Sequence, residues 1–409
     1  MKVLFVHQNF PGQYLHLARH LGAIPGNQVV FVTQRLQGSL PGVQTLLYQP
    51  SRKTTDGLHH YLQETEAGIL NAQAVVRVAL DLKTSGFVPD VMLGHNGWGE
   101  IWYLKEVFPD APLLGYFEFF YRRHGADVGF EPGSADLFDT GPRVRTKNLG
   151  NLLALDTVDA GQCPTEWQRS LYPGEYQRKL NVIHEGIDTR IVVPNRQARY
   201  SVPNTCIELT AEDEVVTYVA RNLEPYRGFP SLMRALPAVL QRRPNARILI
   251  VGGDETSYGP APATGQTYRE YMLKELEGAI DLSRVHFLGK VSYSSFLKIL
   301  QISTVHVYLT YPFVLSWSVL EAMAAGCLVV ASKTPPVEEV IRDGDNGWLV
   351  DIFSPADIAS RVIAALTERA GHAGLREAAR RTVVEKYDLQ TICLPAHLQL
   401  LRRLTGRAP

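Results

Sequence analysis

Long apolar runs, clustered cysteines and net charge are all scarce in this chain, and each scarcity removes a class of function. No stretch of the 409 residues is apolar over the length needed to span a bilayer. The opening run Val3 to Val6 gives way to His7, Gln8 and Asn9, too soon for the apolar segment of a secretory signal. The four cysteines, Cys163, Cys206, Cys327 and Cys393, lie far apart, with neither metal-ligand spacing nor the density of a disulfide framework. Lysine plus arginine (41) equals aspartate plus glutamate (41), so no global field draws the chain to nucleic acid or to an anionic membrane. These absences predict a cytoplasmic protein in a reducing compartment with no nucleic-acid partner. Weak attachment to the inner face of a membrane is the alternative left open.

What is present is the pattern of a two-core globular protein. At 45% hydrophobic residues and this length, the chain exceeds the size at which one core keeps growing. In the first half, short apolar runs at Lys2 to Val6, Val29 to Thr33, Val91 to Leu93, Leu113 to Phe117 and Asn181 to His184 read as strands. Leu58 to Leu82 reads as a long helix between the second and third of them. The second half restarts with strands Val215 to Ala220, Arg247 to Val251, Val285 to Leu288, Val305 to Leu309 and Leu328 to Ala331. Helices Ser231 to Gln241, Tyr268 to Ala279, Ser294 to Leu300 and Ser318 to Ala325 separate them. Such alternation predicts an α/β fold of two parallel, doubly wound sheets. The polar, proline-bounded stretch 194–204 is the expected linker, dividing a domain at 1–193 from one at 205–372. The remainder, 373–409, reads as helical, with arginines on its polar side.

In open parallel sheets ligands bind beyond the carboxyl ends of the strands, so the residues there are the candidates. After the first strand comes His7-Gln8-Asn9-Phe10-Pro11-Gly12-Gln13, where Gly12 lets the backbone approach a ligand; a plain strand-to-helix turn explains it equally well. After the first strand of the second half, Arg221 and Arg227 bracket a turn. Two guanidinium groups there can neutralise a diphosphate, or they are simply solvated surface charges. In YPFVLSWSVLEAMAAG, running from Tyr311 to Gly326, Ser316 precedes a helix beginning near Trp317 or Ser318, whose free N–H groups face outward and suit an anion. Glu321, about one turn in, can accept both vicinal hydroxyls of a ribose, or else stabilise the helix dipole.

Taken in order and spacing, residues 181–365 resemble the retaining glycosyltransferases of family 4. Ile183-His184-Glu185-Gly186-Ile187-Asp188 looks like that family's Asn-Gly-Val-Asp segment, with glutamate for asparagine. Arg221 and Arg227-Gly228 look like its arginine and lysine-glycine pair, and Leu320-Glu321-Ala322-Met323-Ala324-Ala325-Gly326 is close to its Leu-Glu-Ala-Met-Ala-Cys-Gly. The first half is less typical, although His7 to Gln13, Gly94 to Glu100, Tyr116 to Arg122 and Gly125 to Phe130 look like one branch of the family.

The resemblance implies two Rossmann-like domains facing across a cleft, an acceptor-side one followed by a donor-binding one, with C-terminal helices returning to the first. It implies transfer of a hexose-type sugar from a nucleotide-sugar donor, with retention and without metal or other cofactor, to a glycan, lipid-linked or small-molecule acceptor. A non-catalytic nucleotide-sugar-binding subunit and an epimerase or phosphorylase on the same fold are the alternatives. Gly12, Gln13, Arg221, Arg227, Leu288, Ser316, Trp317 and Glu321 are the implied donor contacts. For chemistry the implied set is Arg221, Arg227, Glu118 and His95; Glu118 stands where many relatives have a histidine, and a satisfied polar pair is the competing reading of Glu118 with His95. Phe313 stands where the family has a glutamate that reads the transferred sugar. Asp343-Gly344-Asp345, which mimics a metal-binding triplet, reads as a turn leading into Asn346-Gly347.

Overall fold

The computed structural model describes residues 1–134, 137–262 and 265–407, and the chain divides into two compact units. The first comprises Met1–Gly186 together with the chain from Leu389 on, and the second Ile187–Asp388. In the first, strands β1 (Lys2–Val6), β2 (Gln28–Thr33), β3 (Val43–Leu47), β4 (Val91–His95), β5 (Leu113–Tyr116), β6 (Ala160–Cys163) and β7 (Leu180–Val182) form one sheet. Its order is β3-β2-β1-β4-β5-β6-β7, and every pairing is parallel. The branched and aromatic side chains of β1 and β2 are buried on both faces, as crossovers on each side of a parallel sheet require. Against one face pack Leu17 and Leu21 of the helix Leu15–Gly22 and Leu394, Leu400 and Leu401 of the helix Leu394–Thr405.

The second unit opens with a small antiparallel pair, β8 (Arg199–Ser201) and β9 (Glu208–Thr210). Its main sheet holds β10 (Val215–Asn222), β11 (Arg247–Gly253), β12 (Val285–Gly289), β13 (Val305–Tyr308), β14 (Leu328–Ser332) and β15 (Trp348–Val350). All pairings are parallel, in the order β12-β11-β10-β13-β14-β15. Both sheets therefore reverse strand order beside their first strand, between β1 and β4 and between β10 and β13.

Three boundaries differ from those expected. The units separate at Gly186 and Ile187 rather than at 193, because Ile187 donates its N–H to Tyr387 O and packs in the second core. The stretch 194–204 is not a free linker: Ala198, Tyr200 and Val202 are buried against Val215, Leu249 and Ile299 of the second unit. The helix Ala373–Tyr387 also stays with the second unit, and only the chain from Leu389 belongs to the first. Its arginines explain why. Arg376 donates to Thr304 O at 3.0 Å, and Arg380 donates to Val192 O at 3.0 Å, Thr189 O at 3.1 Å and Ala324 O. The long helix of the first unit runs Gln63–Thr84, starting after the expected Leu58.

Removing the Arg380 guanidinium leaves three carbonyls without that partner, and hydrogen bonds to a charged group contribute about 1.5–3 kcal/mol each at most. Arg380→Ala is expected to destabilise the second unit by about 2 kcal/mol, whereas Arg381→Ala, on an exposed position of the same helix, stays within about 0.5 kcal/mol. Chemical denaturation of both variants checks this.

Candidate functional site

In the first unit, the carboxyl ends of β1, β4 and β5 bring four predicted residues together. His7, directly after β1, is buried, and its ring accepts the backbone N–H of Asn9 at Nδ1, 2.9 Å. A nitrogen that accepts carries no proton, so neutral His7 holds its proton on Nε2 and donates it to Gln13 Oε1 at 2.7 Å. The Gln13 amide then donates from Nε2 to Glu118 Oε1 at 3.3 Å. His95, at the end of β4, repeats the device: Nδ1 accepts the Gly97 N–H at 2.8 Å, which leaves Nε2–H facing Glu118 Oε2 across 3.7 Å. The His95 ring stacks on Tyr116, centroids 5.0 Å apart, and meets Trp98 at a tilt, 4.5 Å away.

Gly12 is needed at its place. Its φ is +52°, and a Cβ there would fall 2.5 Å from the His7 ring. Burial, with His95 close by, holds the His7 pKa down at about 3, so it stays neutral. At Glu118 burial works to raise the carboxyl pKa. The His95, His7 and Gln13 groups facing it outweigh that and keep it below the usual carboxylate value. The rest of the segment Gly94 to Glu100 supports the loop. Asn96 donates to Asn151 Oδ1 at 2.7 Å and accepts from Trp102 at 3.1 Å, while buried Glu100 accepts the Tyr48 hydroxyl proton at 2.8 Å.

In the second unit the expected surface pair of arginines is split. Arg221 is exposed, past a bulge in the pairing of β10 with β11. Arg227 is not a surface residue: it is 7% exposed. Its Nη1 donates to Thr310 Oγ1 at 2.8 Å, Val314 O at 3.1 Å and Tyr308 Oη at 3.5 Å. The Tyr258 ring lies 5.3 Å from its Cζ. Among the described residues no carboxylate lies within ion-pairing distance of Arg227, so a buried cation stands here surrounded by neutral oxygens. Tyr308 Oη also accepts the Ser316 N–H at 2.8 Å, tying Arg227 to the start of the helix Trp317–Ala324. Ser316 caps that helix, its Oγ accepting from Ser318 N.

Glu321, on the same helix, is 9% exposed and accepts the Tyr293 hydroxyl proton at 2.8 Å. Burial raises its pKa to about 7 against the opposing Tyr293 bond. Leu288 is half-buried on the edge strand β12, and Trp317 is half-buried beside the cap. Phe313 is packed inward, 7% exposed, with its ring 5.0 Å from Tyr258 and 5.7 Å from Tyr226.

Three groups escaped the sequence reading. Tyr308 and Thr310 looked like ordinary strand-end residues, and only the fold aims their oxygens at Arg227. The third is Glu224, fully buried, whose carboxylate accepts the backbone N–H groups of Ser257, Tyr258 and Gly259 at 3.0–3.3 Å and so pins the loop that carries Tyr258. Its position between two arginines was the available signal. Asp343 and Asp345 are engaged in a turn, bonded to Leu349 N and Arg342. Among the described residues no cluster of three or more His, Cys, Asp or Glu is arranged to hold a metal.

Two doubly wound parallel sheets that reverse order beside β1 and β10, the second with arginines, a capped helix start and a buried glutamate at its carboxyl edge, are the architecture of the glycosyltransferase class. Residues 25–192 match the model for the glycosyl transferase family 4 group, residues 207–382 match that for glycosyl transferases group 1, and the chain belongs to the family 4 glycosyltransferases. The D-inositol 3-phosphate glycosyltransferase of Corynebacterium efficiens is 27% identical over 180 residues, 44% of this chain and 40% of that protein. The phosphatidyl-myo-inositol mannosyltransferase of Mycolicibacterium smegmatis is 32% identical over 261 residues, 56% of this chain and 61% of that one. The chain thus matches less than two thirds of the length of these relatives. Among solved structures, sucrose-phosphate synthase from Thermosynechococcus elongatus shares the fold with a TM-score of 0.71 at 18% identity, covering 99% of both chains. HepE from Anabaena, in complex with UDP, gives 0.62 to 0.63 at 16–17% identity over 98% of this chain and 99% of that one. Among the described residues no helix is long and apolar enough to cross a membrane.

The raised pKa of Glu321 makes a stability prediction. Between the ordinary carboxyl value of 4.5 and about 7 the unfolded chain ionises while folded Glu321 keeps its proton, so wild-type stability falls as pH rises through that window. Glu321→Gln cannot ionise and escapes the loss. Its stability relative to wild type is expected to rise by up to about 3 kcal/mol between pH 4.5 and pH 8, most of it before pH 7. Parallel denaturant titrations across that range measure it; a difference independent of pH would contradict the assignment.

Proposed function

We propose that this chain transfers a sugar from a nucleotide-sugar donor to an acceptor hydroxyl, with retention of configuration and without a metal ion. The buried, anion-free Arg227 beside the capped helix start carries this reading. A desolvated guanidinium with no carboxylate partner is a costly arrangement, and a diphosphate is the counterion that the family would bring to it. Arg221, exposed at the same strand end, supplies the second positive charge. Glu321 in its ionised form accepts from the ribose hydroxyls, and Leu288 packs beside the base.

As the bond from the anomeric carbon to the diphosphate oxygen breaks, charge grows on that oxygen, and Arg221, Arg227 and the helix start at Ser316 and Trp317 stabilise it. The acceptor oxygen bonds to the anomeric carbon on the face the diphosphate leaves, and the acceptor's proton passes to the departing diphosphate oxygen. No protein carboxylate need become a nucleophile in this route. The acceptor class is a glycan, a lipid-linked sugar or a small molecule. Names of the curated relatives favour a cyclitol-type acceptor such as an inositol derivative. A non-catalytic nucleotide-sugar binder is the second reading, favoured by Phe313 standing packed where the family places a sugar-reading glutamate.

The test is release of nucleoside diphosphate from a panel of UDP- and GDP-sugars with myo-inositol and its phosphates as acceptors. Arg221→Ala, at an exposed position, is expected to lose about 100-fold or more in turnover with stability within about 0.5 kcal/mol. Arg227→Lys keeps the charge but loses the fork, and is expected to lose turnover comparably. Turnover should survive EDTA, and an α-linked donor should give an α-linked product by NMR of the anomeric proton. Donor binding without turnover anywhere in the panel would select the second reading.

A further inference from the structure

Arg227 is 7% exposed, which leaves a diphosphate no room on its guanidinium unless one of the present neighbours gives way. Those neighbours fall into two sets. Tyr308, Thr310 and the carbonyl of Val314 lie on or just after β13, and all three are addressed by Nη1. They are fixed. Thr310 donates its N–H to Ser332 Oγ of β14 at 3.0 Å and accepts that hydroxyl's proton at its carbonyl, 2.9 Å, while Tyr308 Oη also holds the Ser316 N–H.

The second set is Tyr258, which comes from the loop after β11 and not from the sheet. Its ring lies over the guanidinium, 5.3 Å from Cζ, its hydroxyl makes a polar contact with the same group, and its outer side is partly exposed. Phe313 supports the ring from the side at 5.0 Å. The loop is clasped from below, where Glu224 gathers the N–H groups of Ser257, Tyr258 and Gly259 and the Asn222 amide is bonded to the Ser257 hydroxyl at 2.6 Å. The ion pairs Glu255–Lys290 and Asp254–Arg269 flank it, open to solvent, where such pairs hold weakly. Clasp and arginine thus share one short stretch, 222–228, and the loop is anchored at the very residue it covers.

A phenol covers a guanidinium without neutralising it. A diphosphate brings charge and paired oxygens that suit the planar fork, so it displaces a neutral ring and hydroxyl where a neutral ligand would not. We infer that Tyr258 is a removable cap on the diphosphate site: it lies on Arg227 while the site is empty, and a diphosphate takes its place on the guanidinium. This rests on the reading of Arg227 as the diphosphate residue and adds how access to it is controlled. A site open in only a fraction of molecules binds with its affinity reduced by that fraction, so a cap weakens binding. A fixed aromatic floor that orients the arginine would strengthen it, and the sign of the effect separates the two.

Calorimetric titration of the full chain with inorganic pyrophosphate, UDP and GDP measures that sign; pyrophosphate probes the subsite whatever the base. Tyr258→Ala is expected to bind pyrophosphate, and whichever nucleotide binds the wild type, about tenfold more tightly, the gain for a cap closed in about nine-tenths of molecules. Tyr258→Phe keeps the ring and its place against Phe313, loses only the hydroxyl, and is expected to gain about threefold. Uridine, which has no diphosphate, should show no gain in either variant. A gain in Tyr258→Ala alone assigns the cap to the ring. Equal or weaker binding of pyrophosphate and nucleotide in both variants, or an equal gain for uridine, would overturn the cap and leave the transferase reading standing. Binding of neither pyrophosphate nor a nucleotide by the wild type or by either variant would defeat the reading of Arg227 itself, and the cap with it.

Discussion

Parallel pairing is the constraint on which the rest of this structure depends. When every strand runs the same way, each return is made by a crossover outside the sheet, and all carboxyl ends share one edge. Where the order reverses, the two adjacent crossovers leave toward opposite faces, and the strand ends between them are not roofed by either. In the first unit this opening lies between β1 and β4, which end in His7 and His95. In the second it lies between β10 and β13, which lead to Arg227, Thr310 and Ser316. The polar groups of each candidate site therefore gather where the topology leaves the strand ends open.

The two edges meet the same difficulty, burying polar groups beside an opening, in opposite ways. The first keeps the His7 imidazole neutral by burial, and at both His7 and His95 a backbone N–H two residues on occupies Nδ1. Its one charge, Glu118, is the group with the most exposure. The second buries a cation, Arg227, whose charge cannot be removed by deprotonation, and surrounds it with a carbonyl and two hydroxyl oxygens instead of a carboxylate. Neutral oxygens satisfy the N–H groups without cancelling the charge, so the site keeps its attraction for an anion. A carboxylate in the place of Thr310 would have stabilised the empty protein and opposed a diphosphate.

The alternation of apolar runs and helices made both sheets legible in the sequence, because buried parallel strands such as Lys2–Val6 and Arg247–Gly253 are continuous in apolar residues. β6, Ala-Gly-Gln-Cys, gave no such signal, since small residues fill a place where Leu180 and Phe117 close in on Gly161. β3 is an edge strand with no buried residue and a polar centre, and it was equally silent. Among the site residues, spacing pointed to Arg221, Arg227, Ser316 and Glu321, yet it could not separate a buried arginine from a solvated one. Burial of Arg227 follows from the turn at Gly228, whose φ of +64° and lack of a Cβ let the chain close on Leu309. Such a long-range approach has no local trace beyond the glycine itself. The link from His7 through Gln13 to Glu118 spans more than a hundred positions and was invisible for the same reason.

Phe313 shows how a departure from a family pattern is absorbed by its surroundings. A glutamate at this position would bring a second carboxylate to a region where buried Glu224 already gathers the N–H groups of Ser257, Tyr258 and Gly259. With those donors engaged, the loop has little left for another anion. The phenyl ring instead meets Tyr226 edge-on and Tyr258 at a tilt, and Tyr226 stacks on Tyr311 at 4.9 Å. The same Tyr258 ring lies over the Arg227 guanidinium, a favourable cation–π contact. Phe313, Tyr258 and Glu224 thus act as one packing unit: the glutamate holds the loop, the loop presents the tyrosine, and the phenylalanine supports that ring from the side. Replacing Phe313 by glutamate would not restore a sugar-reading group. It would put a carboxylate against an aromatic face and loosen the ring that lies over Arg227, so the two family features, arginine and glutamate, are not independently exchangeable in this chain.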